Sequence, residues 1–160
     1  MATLVPSIIA VFDDYAAAVR KCRREIIAQS WFEKDWWINL AFDTNGFTFQ
    51  LAKTGWHNHD SRGVHFEFWI GEQEANTKEL PIVLHFEPDV PDRATLGTRF
   101  REAFEPHAED FADYRVNHNA ICDKLTKQIK FSKSSLAKTV VPEFSRLQAL
   151  GPTIDRILAS

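Results

Sequence analysis

The sequence predicts an α+β fold in which helices cover one face of an antiparallel sheet. Apolar residues recur with a roughly 3.6-residue period near the N-terminus, alternate with polar residues between positions 36 and 87, and regain helical spacing near the C-terminus. The length of 160 residues fits a single domain, residues 1–160. We therefore expect a two-layer sandwich of an antiparallel β-meander of about four strands, an N-terminal helix and several C-terminal helices. The second sheet face is expected to be at least partly open.

The N-terminal segment predicts a helix over residues 7–29. Ser7 is a candidate N-cap, acidic residues follow in the first half, and basic residues occupy positions 20–24, which is the order favoured by the helix dipole. One buried stripe is predicted from apolar residues three and four positions apart: Ile8, Val11, Tyr15, Val19, Cys22 and Ile26.

A hairpin is predicted at Asn45-Gly46, which separates two alternating segments. Asn-Gly favours a type I′ turn, because that turn requires positive φ at both central residues. With these two residues as the loop, Phe42 would pair with Phe49 and Leu40 with Leu51, and all four would share the core face. Further strands are predicted at residues 64–70 and 82–86, with Phe66, Phe68 and Leu84 in the same core.

The C-terminal half predicts mostly helices. Asp92 is a candidate cap for a helix that ends or kinks at Pro106, and residues 114–117 predict a short strand. The spacing of Ile121, Leu125 and Ile129 predicts another helix. Pro142 and Gly151-Pro152 are expected to divide the remaining segment into two or three short helices.

Charge and composition narrow the class of protein. The net charge of −3 and a pI of about 6.1 do not favour nucleic acid as the partner. The basic residues at 20–24 and at Lys124, Lys127, Lys130 and Lys133 are interpreted as solvated helix faces. Cys22 and Cys122 match no metal or redox spacing, so buried thiols are expected. The N-terminus lacks a basic segment and runs into Asp13 and Asp14, so it does not predict a signal peptide. No apolar segment approaches the length of a membrane span, and we expect a cytoplasmic protein without membrane contact.

Histidines and acids form the first candidate site. If Phe66 pairs with Leu84, then His65 lies opposite His85 on the non-core face. The catalytic set of an enzyme would be His65, His85, Glu67 and Glu87, and a metal site would use His57, His59, His65 and His85. The chain lacks HExxH-type metal spacing, so we expect no cofactor. A metal-dependent hydrolase or nuclease remains the alternative hypothesis, while Asp89 and Asp92 are interpreted as turn and cap residues.

Tryptophans without a predicted place in the core form the second candidate site. Trp37 and Trp69 are predicted on the non-core face of their strands, and Trp56 in a loop. Tryptophan is enriched at interface hot spots. The leading hypothesis is therefore a protein-interaction module, such as an adaptor, a chaperone-like protein or an inhibitor or immunity-type binder. Its predicted binding surface consists of Trp37, Trp56, Trp69 and His85, and its protein partner is not identified by the sequence.

Overall fold

The computed structural model describes residues 4–56, 63–88, 90–117 and 123–159. Its helices are α1 (Leu4–Ile27), α2 (Glu72–Thr77), α3 (Arg93–Phe104), α4 (Leu136–Leu147) and α5 (Gly151–Leu158). Its strands are β1 (Trp36–Asp43), β2 (Gly46–Lys53), β3 (Val64–Ile70), β4 (Glu79–Phe86), β5 (Arg115–Val116) and β6 (Asp123–Lys130).

The strands form one open antiparallel sheet in the order β1-β2-β3-β4-β6-β5. The α+β class and the flanking helices are confirmed, and the sheet has six strands instead of about four. The predicted short strand at 114–117 corresponds to β5. The helix predicted from Ile121, Leu125 and Ile129 is wrong, because residues 123–130 form β6; Ile121 itself lies outside the described residues. A spacing of four keeps residues on one face of a strand as well as of a helix.

The β1–β2 hairpin closes one residue before its predicted position, which shifts the strand register by two residues. Leu40 pairs with Phe49 and Phe42 with Phe47, so the loop residues are Thr44 and Asn45. A type I′ turn would require positive φ at both Thr44 and Asn45. Neither has it, since the non-glycine residues with positive φ in the described part of the chain are Lys78 and Asp92. The left-handed residue is instead Gly46, at φ 113°, immediately after the loop. A two-residue shift leaves every side chain on its predicted face, so the core assignment is unaffected.

The core lies between the sheet and four helices. Phe49, Phe66, Phe68 and Leu84 are fully buried, as expected. Phe144 of α4 packs against Phe49 and Phe68, with ring centroids 5.6 and 6.0 Å apart. Phe42 is at the margin of the core: it is 38% exposed and contacts Phe12 of α1.

The helix boundary predicted at Pro106 is confirmed, whereas those predicted at Ser7 and Pro142 are wrong. α1 begins before Ser7, so this residue is not its N-cap; Pro6 lies in the first turn, where its missing N–H would have no helical partner. α3 ends at Phe104, before Pro106, as predicted. α4 continues through Pro142, contrary to expectation. The carbonyl that this proline leaves without a donor belongs to the exposed Lys138, where water can bind it.

None of the helices in the described ranges is both long enough and apolar enough to span a membrane.

Candidate functional site on the polar face of the sheet

The side of the sheet opposite Phe66 and Phe68 carries most of the predicted site residues, and we call it the polar face. Strand pairing fixes which residues lie next to one another there: Asn39 pairs with Gln50, Gln50 with Glu67, and His85 with Asp123. Ring contacts between helices and strands, such as that of Phe100 with Phe86, lie on the other side. The polar face includes Trp37, Asn39, Gln50, His65, Glu67, Trp69, Val83, His85, Glu87 and Asp123.

His65 lies directly opposite His85, as the sequence predicted. The two rings are stacked, with an interplanar angle of 12° and centroids 5.3 Å apart. His65 is completely buried, and its Nε2 lies 3.2 Å from Oε2 of Glu67 and 3.1 Å from Nε2 of Gln50. Its Nδ1 has no hydrogen-bond partner in the described part of the chain. A buried nitrogen without a partner is uncommon in folded proteins and marks this ring as incompletely satisfied.

His85 is held by carboxylates on two sides. Its Nδ1 lies 2.8 Å from Oδ1 of Asp123, and its Nε2 lies 3.6 Å from Oε2 of Glu87. Burial lowers the pKa of His85, but the hydrogen bond to Asp123 and the charges of Glu87 and Glu67 outweigh burial and raise this pKa overall. The imidazole therefore holds a proton to higher pH than an ordinary histidine does.

An amide chain extends the histidine network towards β1. Asn39 Nδ2 donates to Oε1 of Gln50 over 3.0 Å, and Gln50 Nε2 donates to Oε2 of Glu67 over 2.7 Å. Side chains from β1, β2, β3, β4 and β6 thus follow one another in a chain of contacts across the sheet. We call the group formed by Gln50, His65, Glu67, His85, Glu87 and Asp123 the imidazole cluster.

The imidazole cluster is acidic and partly accessible. The side chains of Glu67, Glu87 and Asp123 are 13%, 25% and 36% exposed. The carboxylate of Glu87 lies 3.6 and 3.9 Å from imidazole nitrogens, beyond hydrogen-bond length, and accepts no hydrogen bond from the described residues. The polar-face positions of β1–β4 include no Lys or Arg. The centre of this face therefore carries three carboxylates against imidazoles alone, which leaves an excess of negative charge.

The metal hypothesis can be compared with the same geometry. Lone pairs of imidazole lie in the ring plane, so the stacked rings of His65 and His85 do not direct them to one ion. Across the described residues, no three or more His, Cys, Asp or Glu side chains are arranged to hold a metal ion. His57 and His59, the other proposed ligands, lie outside the described residues, as does Asp89.

The tryptophans of the predicted binding surface divide into two groups. Trp37 and Trp69 are half-buried on the polar face, and Trp69 Nε1 donates to Oε1 of Glu74 over 3.2 Å. Trp56 is only 1% exposed, packs against Trp36, and donates from Nε1 to Oδ1 of Asp155 over 2.6 Å. Its assignment to the binding surface is therefore wrong, since the indole fixes α5 to the hairpin from inside the core.

A second group of charged residues lies on the core side of β6, and we call it the ion-pair cluster. Lys127 Nζ donates to Asp113 over 2.6 Å and to Glu143 over 2.5 Å. Arg146 donates to the same two carboxylates over 2.8 and 3.2 Å, and the hydroxyl of Tyr114 donates to Glu143 over 2.9 Å. The cluster consists of Asp113, Tyr114, Lys127, Glu143 and Arg146.

Ionisation in the ion-pair cluster follows from these contacts. Hydrogen bonds from Arg146 and then Lys127 hold the pKa of Asp113 far below its usual range. Burial, followed by the charge of Glu143, raises the pKa of Tyr114 well above its usual value. Lys127 is engaged here and Lys124 is only 8% exposed, so they do not form the solvated helix face that was predicted.

Cys22 agrees with its predicted role as a buried thiol. It is completely buried in α1, and burial is the largest cause that raises its pKa to about 12. Such a thiol stays protonated and unreactive at neutral pH. Cys122 lies outside the described residues.

Two members of the imidazole cluster were missed by sequence reasoning. Gln50 belongs to a predicted strand, and its place beside Glu67 follows from the β2–β3 register. Asp123 was hidden because its segment was predicted to be helical. No protein-family model matches the chain, and searches of curated proteins and of solved structures find no similar protein.

Proposed function

We propose that the chain is a protein-interaction module whose polar face holds a basic segment of a partner protein. The observation that carries the proposal is the acidic imbalance of the imidazole cluster. Three carboxylates converge there, and among the described residues they face imidazoles and amides instead of Lys or Arg. A lysine or arginine side chain from outside would supply the donors and the charge that Glu87 lacks.

The two half-buried tryptophans support the same class of partner. Trp37 and Trp69 lie on the same face as the carboxylates, with Asn39 and Gln50 between them in the strand register. An indole face attracts a cation by about 0.5–2 kcal/mol, depending on how far the pair is removed from water. Acid beside partly exposed indole is therefore a combination suited to Lys and Arg side chains.

Selection from a random peptide display library tests the proposal while the partner is still unidentified. The purified chain selects the binders, and the affinity of a selected peptide is then measured by calorimetry. We expect the selected peptides to be rich in Lys and Arg, with affinity that falls as salt increases because the carboxylates are partly exposed.

Three variants locate the binding site. Glu87→Gln and Trp69→Ala should each weaken the peptide by roughly tenfold, whereas Glu105→Gln, which changes an exposed acid outside the polar face, should not. An unchanged melting temperature for Trp69→Ala would establish that the fold is retained. The proposal is overturned by selection of neutral or acidic peptides, by no selection at all, or by equal loss in the Glu105→Gln control. Spermine that binds as tightly as the peptide would point to a small cation instead.

A further inference from the structure

The large apolar side chains that are exposed in the described part of the chain lie along one side of the molecule. They are Ile9, Phe12, Ile27 and Phe42, with exposed fractions of 52%, 39%, 41% and 38%. Ile9 and Ile27 are eighteen residues apart, about five turns, so they project from α1 in the same direction. Phe12 lies beside this line and contacts Phe42, with ring centroids 4.9 Å apart. One flank of α1 thus continues into the end of β1.

β1 is itself an edge strand without the usual protection. It pairs with β2 on one side and ends the sheet on the other, within the described residues. Its eight residues keep an unbroken register, contain no Pro, Lys or Arg, and carry one charge, at the terminal Asp43. Natural edge strands are commonly blunted by such residues, by bulges or by shortness. The opposite edge follows that rule, because β5 has only two residues.

α1 packs on β2, and its exposed flank borders the edge strand β1, which runs in the opposite direction. Phe12 near the start of α1 contacts Phe42 at the end of β1, whereas Trp31, just after α1, contacts Trp36 at the start of β1 with centroids 5.7 Å apart. The exposed flank and the unpaired edge therefore form one continuous surface.

We propose that this surface joins two copies of the chain about a two-fold axis, with β1 antiparallel to β1 of the second copy. Charge on α1 favours a second copy over another partner. Asp13 lies in an acidic half and Arg23 in a basic half of the helix, and neither has an ion pair in the described residues. A two-fold axis reverses the helix direction, so each Asp13 meets the Arg23 of the second copy.

The apolar residues are self-complementary about the same axis. In an antiparallel pair of α1 helices, the two-fold axis passes the residue halfway between paired positions. Ala18 is halfway between Ile9 and Ile27 and also halfway between Asp13 and Arg23, so one axis allows both pairings. On β1, a midpoint at Asn39 places Ile38 opposite Leu40 of the second copy. Ile38 and Leu40 are two residues apart and lie on the same face of β1, so this pairing makes the core faces of the two sheets continuous. The unpaired backbone groups of β1 gain partners, and the exposed rings leave water.

The test measures the mass of the full chain in solution and then exchanges the charges. Light scattering at about 100 µM should give twice the 18.4 kDa of one chain. Asp13→Arg and Arg23→Glu should each weaken the dimer by roughly tenfold through like-charge contacts across the axis. The double variant should restore it, because each copy then presents the reversed pair. Arg101→Glu on the exposed surface of α3 is the matched control and should leave the dimer unchanged.

Hydrogen exchange of β1 provides a readout that needs no variant. The amides on the open edge of β1 after Trp36 lack a strand partner in one chain, so they should exchange quickly in dilute solution and slowly at high concentration. A chain that stays monomeric overturns the proposal. A dimer that ignores both single reversals, that is not restored by the double variant, or that leaves β1 exchange independent of concentration overturns the assigned surface.

Discussion

The ion-pair cluster and the imidazole cluster lie on opposite sides of the same sheet and differ in how completely the chain satisfies them. In the ion-pair cluster two cations face two carboxylates, and the hydrogen bonds within it measure 2.5–3.2 Å. In the imidazole cluster three carboxylates surround two histidines, the contacts of Glu87 reach 3.6 and 3.9 Å, and one buried nitrogen has no partner among the described residues.

The difference separates charges that stabilise the fold from charges that are available to a partner. Glu143 and Lys127 connect α4 to β6, so their interaction stabilises the packing of this helix on the sheet. The side chain of Glu87 joins no second element through a hydrogen bond in the described chain. Burying a charge without hydrogen bonds is costly, and Glu87 limits this cost by remaining partly exposed to solvent. Comparable substitutions in the two clusters should therefore have different effects on stability.

The largest effect is expected for Glu143→Gln. The substitution removes the charge that accepts from Lys127, Arg146 and Tyr114, leaving cations with half of their partners. Stability to urea should fall by about 2 kcal/mol. Glu102→Gln on α3 is the control and should change it by less than about 0.5 kcal/mol. Equal stability of the two variants would mean that the ion-pair cluster does not hold α4.

The second-largest effect is expected at low pH, where the ion-pair cluster should lose the stability that Asp113 contributes. The pKa of Asp113 is lowered in the folded chain, so its contribution is present above the unfolded pKa and is lost as pH falls through the folded pKa. Asp113→Asn should therefore be less stable than the parent at pH 7, and the gap should shrink as pH falls below about 4. Urea midpoints from pH 7 to pH 2 measure the gap. A gap that is constant with pH would contradict the prediction.

His85→Asn should show the opposite pH dependence. Its carboxylate neighbours are Asp123, Glu87 and Glu67, and the ring stacked on it is His65. Because the folded pKa is raised, the contribution of His85 is complete below its ordinary value of 6.5 and is lost as pH rises through the folded pKa. The parent should exceed the variant most at pH 5.5 and least at pH 8.5. Proton NMR of the ring gives the folded pKa directly, and a value below 6.5 would reverse the sign.

The smallest effect on stability is expected for Glu87→Gln, the same chemical change as in Glu143. Because the carboxylate of Glu87 accepts no hydrogen bond from the described residues, stability to urea should change by less than about 0.5 kcal/mol. A loss near that of Glu143→Gln would show that the imidazole cluster is structural and would remove the contrast between the two clusters.

Much of the imidazole cluster follows from strand periodicity. Alternation places Phe66 opposite Leu84, and their neighbours His65 and His85 then meet on the other face. The two-residue error in the β1–β2 register leaves the core assignment unchanged, because side chains alternate with a period of two. The geometry of the central strands is therefore set by local patterns that the sequence displays.

The remaining features depend on contacts between distant segments. The alternation expected of a strand is interrupted in β6, because Lys127 occupies a core-side position. Its charge is stabilised there by hydrogen bonds to Asp113 and Glu143. Asp123 could not be assigned to the site before that strand was known. Trp56 follows its strand in a turn, and its burial depends on Asp155, ninety-nine residues later. No local pattern encodes such partners.

The insertion of β6 between β4 and β5 also bears on the order of folding. β1–β4 pair with their neighbours in sequence, whereas β6 begins thirty-seven residues after β4 ends, and α1 packs against the still later α4. Closing longer loops costs entropy before any contact is gained, so we expect β1–β4 to form protected structure first. Pulse-labelled hydrogen exchange during refolding would show this as earlier protection of β2 and β3 than of β6. Asp123 would then reach His85 only when the chain finishes folding, so that an incompletely folded molecule lacks the finished acidic surface.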